Sequence, residues 1–293
     1  MEHQLWKAIV VLIRRFGKQA FSAHRKHDDV RIIETWFWAV VHDRPVSWAC
    51  CRENWPKGKH YDGLPSAATM SRRLRTPSVR QFLWRVEQEV LAPRGRQLQW
   101  FVDGKPLMIS GCSKDRQAGY GRAAQCKAKG YKLHTIIAND GTVAAWRVAP
   151  MNVDERVMAG RMLRVANIHG YVVGDSNYDS NVLHKVCDER GSLQLVAPRR
   201  YGPQRGHGHR RQTLGRMRSK ALLENPYPTF GDSLLHQRAQ IERFYARLTN
   251  WGGGLTHLPP WVRTHRRVHR WIQAKLILAA LRQRLLQRTC AVR

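Results

Sequence analysis

The sequence predicts a mixed α/β domain preceded by an all-helical N-terminal domain. Up to about residue 90 the apolar residues recur at helical spacing, with few alternations of the β type. After a short linker at residues 93–96 the pattern changes, and short buried runs alternate with helical stretches. We therefore divide the chain into a helical domain at residues 1–95 and an α/β domain at residues 96–293.

The helical domain contains a candidate DNA-recognition segment. Ser66 follows a proline and is a suitable N-cap, so a helix is expected over the residues that follow it. Arg72 and Arg73 would project from this helix, which is a candidate for the second helix of a helix-turn-helix in a major groove. The alternative is a packed helical bundle with a solvated arginine face.

The α/β domain begins with a buried run at residues 98–102 that ends at Asp103 and Gly104. Two further runs, at 131–138 and 142–148, are joined by an Asn-Asp-Gly sequence, which is a strong hairpin signal. The later elements are predicted as a helix at 153–166, a strand at 171–174, a helix at 181–190 and a strand at 193–196. This order predicts a mixed sheet flanked by helices.

The C-terminal third of the chain is rich in arginine. Residues 198–230 are basic, glycine- and proline-rich, and contain no acid before Glu224, which is typical of a mobile insertion. Arg210 and Arg211 within this insertion are predicted contacts to the DNA backbone. Helical periodicity then returns, and a last helix at about 260–287 is predicted to be basic on one side and apolar on the other.

The charge balance indicates the class of partner. Lysine and arginine number 51 against 21 acidic residues, so the net charge is +30. Such a surplus favours nucleic acid ahead of an anionic membrane or an acidic protein. No run approaches the roughly 18 apolar residues of a membrane helix, and none of the six cysteines lies in a C-x-x-C pair. We therefore expect a cytoplasmic protein without a membrane span or a zinc module.

Three carboxylates lie where the predicted elements meet. Asp103 and Asp175 each follow a strand, and Glu242 flanks the buried stripe of the returning helix. Such a cluster suits two divalent cations that activate a water or a 3′-hydroxyl, with Mg2+ as the natural choice. Each acid also has a structural reading: Asp103 can cap a turn, Asp175 can cap a helix, and Glu242 can pair with Arg238.

The segments around these acids resemble the DDE transposases of bacterial insertion sequences, whose core has a ribonuclease H-like fold. The matching stretches are residues 100–107, 130–134, 174–180 and 238–248, within a similarity that spans roughly residues 65–280. The resemblance implies that Asp103, Asp175 and Glu242 form a catalytic triad that binds two Mg2+ ions, for which Mn2+ can substitute.

The resemblance also implies contacts with a DNA end. Tyr178, three residues after the second acid, and Arg238, four before the glutamate, match positions near that end, and Lys132 lies in a matching stretch. Two positions depart from the branch of the family that has a tyrosine-arginine-glutamate-lysine signature. Leu235 stands at the tyrosine position and Thr249 stands at the lysine position.

The function that the resemblance implies is transposition, that is, cleavage at the ends of a mobile element followed by strand transfer into target DNA. The protein would work as a homodimer on double-stranded DNA, because two element ends must be held at once. Two alternatives remain open. A metal-dependent nuclease without strand transfer would keep the fold and the triad, and a catalytically inactive basic DNA-binding protein would use the acids structurally.

Overall fold

The computed structural model describes residues 2–17, 26–57, 63–93, 95–123, 126–199, 212–224, 230–251 and 253–291. The chain divides into two compact units. The helical unit consists of Met1–Ala92, Leu248–Leu255 and Arg270–Arg293, and the α/β unit consists of Pro93–Arg247 and Thr256–His269. The division thus begins close to the predicted boundary at residue 95. It differs in that two C-terminal segments, which the sequence assigned to the α/β domain, group with the N-terminal helices.

Where the structure describes it, the helical unit is built from five helices of the N-terminal region and most of a long C-terminal helix. They are α1 (Glu2–Gly17), α2 (Asp29–Val41), α3 (Val46–Ala49), α4 (Ala67–Arg73), α5 (Pro77–Leu91) and α11 (His265–Ala291). Tryptophans supply much of the core. The ring of Trp38 stacks on that of Trp55 with centroids 4.8 Å apart, and Trp6 meets Trp38 edge-on at the same distance. Burial of such large rings is a major source of stability.

Helix α11 is more deeply buried than its sequence predicts. Every residue from Trp271 to Leu278 is buried, including Lys275, so this part of the helix has no solvated basic side. The ammonium of Lys275 donates to the carbonyl of Val40 at 3.0 Å and to the carboxylate of Asp43 at 2.5 Å. A buried charge is tolerated when it is paired and hydrogen-bonded in this way.

The α/β unit contains a six-stranded sheet. Its strands are β1 (Gln99–Met108), β2 (Gly119–Ala123), β3 (Cys126–Ala138), β4 (Val143–Pro150), β5 (Gly170–Val173) and β6 (Leu193–Val196). Strand β3 is antiparallel to β1, β2 and β4, whereas β1, β5 and β6 run parallel to one another. Its helices are α6 (Glu155–Val165), α7 (Asn181–Arg190), α8 (Leu214–Leu223), α9 (Phe230–His236) and most of α10 (Ala239–Thr249).

One face of the sheet packs on α6 and α7. Trp100 and Val102 of β1 and Val172 of β5 share a buried cluster with Met162 and Leu183 of these helices. Because side chains alternate along a strand, the residues between them point to the other face. The predicted ribonuclease H-like mixed sheet, flanked by helices and preceded by helices, is confirmed.

Two details of the sheet differ from the prediction. Strand β1 does not end at Asp103 but continues to Met108, because β3 pairs with it along this whole length, from Trp100 opposite Ala138 to Met108 opposite Gly130. Strand β2 was not predicted, and its glycine-rich sequence explains why. The Asn-Asp-Gly hairpin is present as expected, with Gly141 in the left-handed region at φ 82°.

Part of the predicted mobile insertion is folded. Helix α8 packs on β6, with Ser219 buried and its hydroxyl accepting the N–H of Ala197 at 3.3 Å. Arg216 is also buried, and its guanidinium makes two hydrogen bonds of 2.7 Å with Asp179. The basic pattern at this position therefore marks an internal ion pair. Residues 200–211, with Arg210 and Arg211, lie outside the described residues.

Candidate active site

Asp103 lies on β1, and Asp175 lies two residues beyond the end of the neighbouring parallel strand β5. In the pairing of β1 with β5, Phe101 stands opposite Val173, and each aspartate follows two residues later. The backbone at Asp175 is still extended, at φ −78° and ψ −179°. Because alternate residues share a face and paired strands are about 4.8 Å apart, both side chains project to the same side of the sheet. The structure thus brings the first two predicted acids together.

Each of these carboxylates is held by one backbone N–H. Asp103 Oδ1 accepts the N–H of Gly104 at 2.7 Å, and Asp175 Oδ1 accepts the N–H of Asn177 at 2.8 Å. Asp175 thereby caps the short 3₁₀ turn Ser176–Tyr178, as its structural reading predicted. The second oxygen of each carboxylate has no hydrogen-bond partner among the described residues, so both acids keep an oxygen available for a ligand.

The surroundings of Asp103 favour a cation. Burial raises the pKa of Asp103 to about 6, and the negative charges of Asp175 and Glu155 act in the same direction. The N–H of Gly104 and the charge of Arg238 oppose this rise. A raised pKa means that nearby hydrogen bonds and positive charges do not fully offset the cost of burying the negative charge of Asp103. The available donors are carboxylate oxygens, which a hard divalent cation such as Mg2+ prefers, so the residues present fit such an ion.

Glu242 does not join the aspartate pair in this conformation. Its side chain is 66% exposed, and its Oε1 lies 3.6 Å from Nη1 of Arg238, one turn earlier in α10. Across the described ranges, no three His, Cys, Asp or Glu side chains lie close enough together to hold a metal ion. Arg238 nevertheless interacts with both acids. It pairs with Glu242, and its charge lowers the pKa of Asp103.

Helix α10 is attached to β1 directly at Asp103. The hydroxyl of Tyr245 donates to the backbone carbonyl of Asp103 at 3.0 Å and makes a 2.9 Å hydrogen bond with the hydroxyl of Thr135. Tyr245 is buried, and burial raises its pKa well above its usual value. The sequence indicated only that Tyr245 belongs to the buried stripe of this helix. Its contact with Asp103 depends on the tertiary fold.

A fourth acid, Glu155, lies near the aspartate pair and was not predicted. Its carboxylate binds the ammonium of Lys132, and its Oε2 accepts a hydrogen bond from the side-chain amide of Asn177 at 3.0 Å. In sequence, Glu155 looks like an ordinary acid in the first turn of a helix, so only its occurrence in an acid-poor chain could have drawn attention to it. The absence of a side chain at Gly104 leaves room for Lys132, whose Cδ would lie 2.9 Å from a Cβ there.

Several predicted DNA contacts are internal in the structure. Lys132 is buried and bound to Glu155, so its ammonium does not face solvent. Tyr178 is 1% exposed and packs against Gly174, where a Cβ would lie 2.9 Å from its ring. Arg73 is buried, bound to the carboxylate of Asp29 and to the carbonyl of His27. Arg72 is exposed, as the sequence predicted.

A comparison with known protein families gives a match. The profile of a protein family described as "Transposase DDE domain" matches residues 95–281, which is more than half of the chain. The matched segment includes Asp103, Asp175 and Glu242. A search of curated proteins finds no match.

Proposed function

Because the chain belongs to the family of transposases with a DDE domain, we propose that it cleaves DNA at the ends of a mobile element and joins the freed 3′ ends to target DNA. The family acts on DNA and generally uses divalent metal ions. One observation carries the proposal for this chain. Asp103 on β1 and Asp175, just beyond the parallel strand β5, lie close enough for their charges to interact, and each keeps one carboxylate oxygen without a hydrogen bond among the described residues.

Asp103 and Asp175 are the proposed metal ligands, with Glu242 as the third. Two Mg2+ ions at this position, or Mn2+ in their place, would activate a water or a 3′-hydroxyl and stabilise the leaving oxygen of the phosphodiester. The hydrogen bonds from Gly104 and Asn177 fix one oxygen of each aspartate and so orient the other. The raised pKa of Asp103 supports this role, because a nearby cation would favour its ionised form.

Glu242 reaches this site by a side-chain movement rather than by a shift of its helix. Tyr245 attaches α10 to Asp103, which fixes the backbone one turn away from Glu242. The Glu242 side chain is exposed, and the one partner it has among the described residues is Arg238, in a 3.6 Å ion pair that is a weak restraint in water. Release of that pair would make Glu242 available as a metal ligand and Arg238 available for a phosphate oxygen. The Nε of Arg238 is buried without a hydrogen-bond partner in the described parts of the chain, which suits this exchange.

Glu155 is the proposed positioning residue of this site. Both of its oxygens are engaged, one by Lys132 and the other by Asn177, so it is not available as a metal ligand. Asn177 in turn donates its backbone N–H to Asp175. Glu155 thus restrains the loop that carries Asp175, and such outer contacts orient the ligands of metal sites.

Double-stranded DNA is the proposed partner, both as element end and as target. The net charge of +30 supports strong attraction to the phosphate backbone at low salt. We propose a homodimer on DNA, because joining requires two element ends in one complex. Among the described residues, no helix combines the length and the apolar character that a membrane crossing needs.

A strand-transfer assay tests the proposal. A labelled duplex copied from the DNA that flanks the gene, with a pre-cut 3′-hydroxyl end, is incubated with supercoiled plasmid and Mg2+. The wild type is expected to join the duplex to the plasmid, and Asp175→Asn is expected to lose at least about 100-fold in joining rate while still binding DNA. Glu189→Gln, on an exposed acid of α7, is the matched control and should join like the wild type.

The assay also separates the two alternatives. Cleavage of an uncut duplex without any joined product would favour a nuclease. Binding without cleavage or joining, in either Mg2+ or Mn2+, would favour an inactive DNA-binding protein. The observation that favours an inactive DNA-binding protein is that Glu242 is exposed and paired with Arg238.

A further inference from the structure

Strand β2 and the first part of β3 form a two-stranded ribbon that extends past the end of β1. The ribbon consists of residues 119–123 and 126–130, which are paired antiparallel, beginning with Gly119 opposite Gly130. The pairing of β1 with β3 ends at the same Gly130. Because β1 and β5 run parallel, the β2–β3 ribbon projects from the side of the sheet at which both of these strands end. This is also the side on which the candidate active site lies.

One face of the β2–β3 ribbon is made of small residues and is packed within the α/β unit. The segment just before α6 lies against this face. A Cβ at Gly119 would clash with the side chain of Asn152, and a Cβ at Gly121 would clash with the backbone of Met151. Close packing therefore explains the glycines of β2. The residues that make up this face are Gly119, Gly121, Ala123, Cys126, Ala128 and Gly130.

The opposite face of the ribbon is basic. Because side chains alternate along each strand, this face carries Tyr120, Arg122, Lys127 and Lys129. Tyr120 is 58% exposed, and Arg122 and Lys127 are also exposed. Lys129 is less exposed, and its ammonium donates to the carbonyl of Ser113 at 3.1 Å. Arg122 and Lys127 have no ion-pair or hydrogen-bond partner in the described parts of the chain.

Arg122 and Lys127 stand directly opposite each other in the ribbon. Two like charges in this position destabilise a pair of strands. The sequence contains no Asp or Glu between Asp115 and Asp140, and both carboxylate oxygens of Asp115 already accept hydrogen bonds. A bound anion would remove the repulsion between the two cations. The pair thus has the character of an anion-binding surface rather than of a structural contact.

The basic face of the ribbon lies on the active-site face of the sheet. Thr135 of β3 stands opposite Asp103, so the side chains of these two residues project to the same face. Lys127 lies eight residues before Thr135 on β3, and this even spacing places it on that face as well. At about 3.4 Å per residue, Lys127 lies about 27 Å along the strand from Thr135. In B-form DNA this distance corresponds to about eight base pairs.

We propose that the β2–β3 ribbon binds the phosphate backbone of duplex DNA about eight base pairs from the reacting phosphodiester, with Arg122 and Lys127 as the cations that contact phosphate oxygens. The exposed hydroxyl of Tyr120, on the same face, is a further donor to phosphate. Contacts to phosphates carry no sequence information, so the partner is duplex DNA of any sequence. This inference rests on the proposed function, which places the reacting phosphodiester at Asp103 and Asp175.

The test uses the full chain and measures DNA affinity over a range of salt concentrations. Fluorescence anisotropy follows binding of a duplex copied from the DNA that flanks the gene and of a shuffled duplex with the same composition. The double variant Arg122→Gln, Lys127→Gln is expected to bind both duplexes about tenfold or more weakly at about 0.1 M salt. It is also expected to lower the salt slope by about 2, because two phosphate contacts are lost.

Matched variants separate the ribbon from the general attraction of a basic protein. Arg161→Gln, Arg164→Gln removes the same charge from exposed positions of α6, which packs on the other face of the sheet, and should bind nearly like the wild type. The exchange Arg122→Lys, Lys127→Arg keeps the charge and should also keep the affinity. Without DNA, the melting temperature of Arg122→Gln, Lys127→Gln is expected to equal or exceed that of the wild type, because a like-charge pair is removed.

Ethylation of single phosphates locates the contact. Ethylating phosphates about eight base pairs from the cleavage position should weaken binding of the flanking duplex by the wild type and have no further effect on the double variant. An ethylation pattern that is the same for both proteins would contradict the proposed position.

Two further outcomes would overturn the inference. One is an unchanged affinity in the ribbon double variant, and the other is an equal loss in this variant and in the α6 control. Strand transfer is measured independently. If only the ribbon variant binds DNA weakly and the wild type joins no DNA, then the ribbon binds DNA and the proposed transposition fails on its own. If the wild type joins DNA and the ribbon variant binds like it, then the ribbon inference fails and transposition stands.

Discussion

The hydroxyl of Tyr245 donates a hydrogen bond of 3.0 Å to the backbone carbonyl of Asp103. This contact joins α10, which carries Glu242, to the strand that carries the first aspartate. Because burial raises the pKa of Tyr245 well above its usual value, the phenol stays protonated and remains a donor throughout the physiological pH range. The placement of the glutamate helix therefore depends on a neutral, buried group that does not respond to pH.

Tyr245→Phe is expected to weaken both the fold and the reaction. It removes the bond to Asp103 and the bond to Thr135, at a cost of about 1–3 kcal/mol. Urea unfolding measures this loss, and the strand-transfer assay should show a slower rate with unchanged DNA affinity. Thr135→Val is the matched control, because it keeps the bond to Asp103. Equal joining rates for Tyr245→Phe and the wild type would contradict the role of this contact.

Asp103→Asn is expected to stabilise the metal-free protein at neutral pH. The pKa of Asp103 is raised from 3.8 to about 6, so the folded state holds its proton more tightly than the unfolded state does. Stability therefore falls as the pH rises from about 4 to about 6, by up to about 3 kcal/mol. The asparagine variant lacks this loss. Urea unfolding with a chelator should give the variant a higher unfolding free energy than the wild type at pH 7.5. The difference should disappear near pH 4. A wild type equally stable at the two pH values would contradict a raised pKa of Asp103.

Asp115→Asn is expected to destabilise the α/β unit, with the opposite pH dependence. Asp115 accepts hydrogen bonds from the hydroxyl of Tyr131 and from the N–H groups of Gln117 and Thr264, at 2.8 to 2.9 Å. Burial alone would raise the pKa of Asp115, but these bonds outweigh it and hold that pKa below its usual value. The contact also supports Thr264, which has a left-handed backbone at φ 72°.

The lowered pKa of Asp115 determines how its contribution to stability changes with pH. Ionised Asp115 stabilises the fold above its unfolded pKa of about 3.9, and this stabilisation disappears as the pH falls through the folded value. At pH 7 the asparagine variant should lose about 1–3 kcal/mol of unfolding free energy, and the gap should narrow below about pH 4. Unfolding curves at both pH values measure this difference in unfolding free energy. A difference that grows in acid would contradict a stabilising role for ionised Asp115.

Asn177→Ala is expected to weaken metal binding without preventing folding. It cuts the link from Glu155 to the loop of Asp175 while the ion pair of Glu155 with Lys132 remains. Loss of such an outer contact lowers metal affinity by about 10-fold or more. Titration of the DNA-free protein with Mn2+, followed by electron paramagnetic resonance, measures the affinity. Asp154→Asn is the matched control, since Asp154 caps α6 through Arg156 and lies beside Glu155 in sequence. Equal affinities for Asn177→Ala and the wild type would exclude the positioning role.

The fold was largely predictable because its signals are local. The Asn-Asp-Gly turn, the apolar runs and the Ser66 cap each specify their own element, and the structure contains all of them. The placement of Asp103 near Asp175 was also predictable, because each follows a short buried run and the two runs form neighbouring parallel strands. The length of β1 was not, since it depends on β3, a partner that lies further along the chain.

The contacts that complete the site could not be read from the sequence. Arg73, Lys132 and Arg216 look like surface charges in a basic chain, but each is buried against an acid from another element. Sequence patterns show the charge of a residue and the face on which it lies, whereas its partner is set by the tertiary fold. For the same reason Glu155 resembled a helix-start acid and Tyr245 an ordinary core residue.

The proposed active site is tested by measuring Mg2+-dependent cleavage of the flanking duplex by the wild type and by Asp103→Asn, Asp175→Asn and Glu242→Gln. Glu189→Gln serves as the matched acid control, and binding of each variant is measured with a chelator present. All three site variants are expected to bind the duplex but to lose cleavage, whereas the control is expected to cleave normally. Cleavage by Glu242→Gln at the wild-type rate would contradict a three-carboxylate active site.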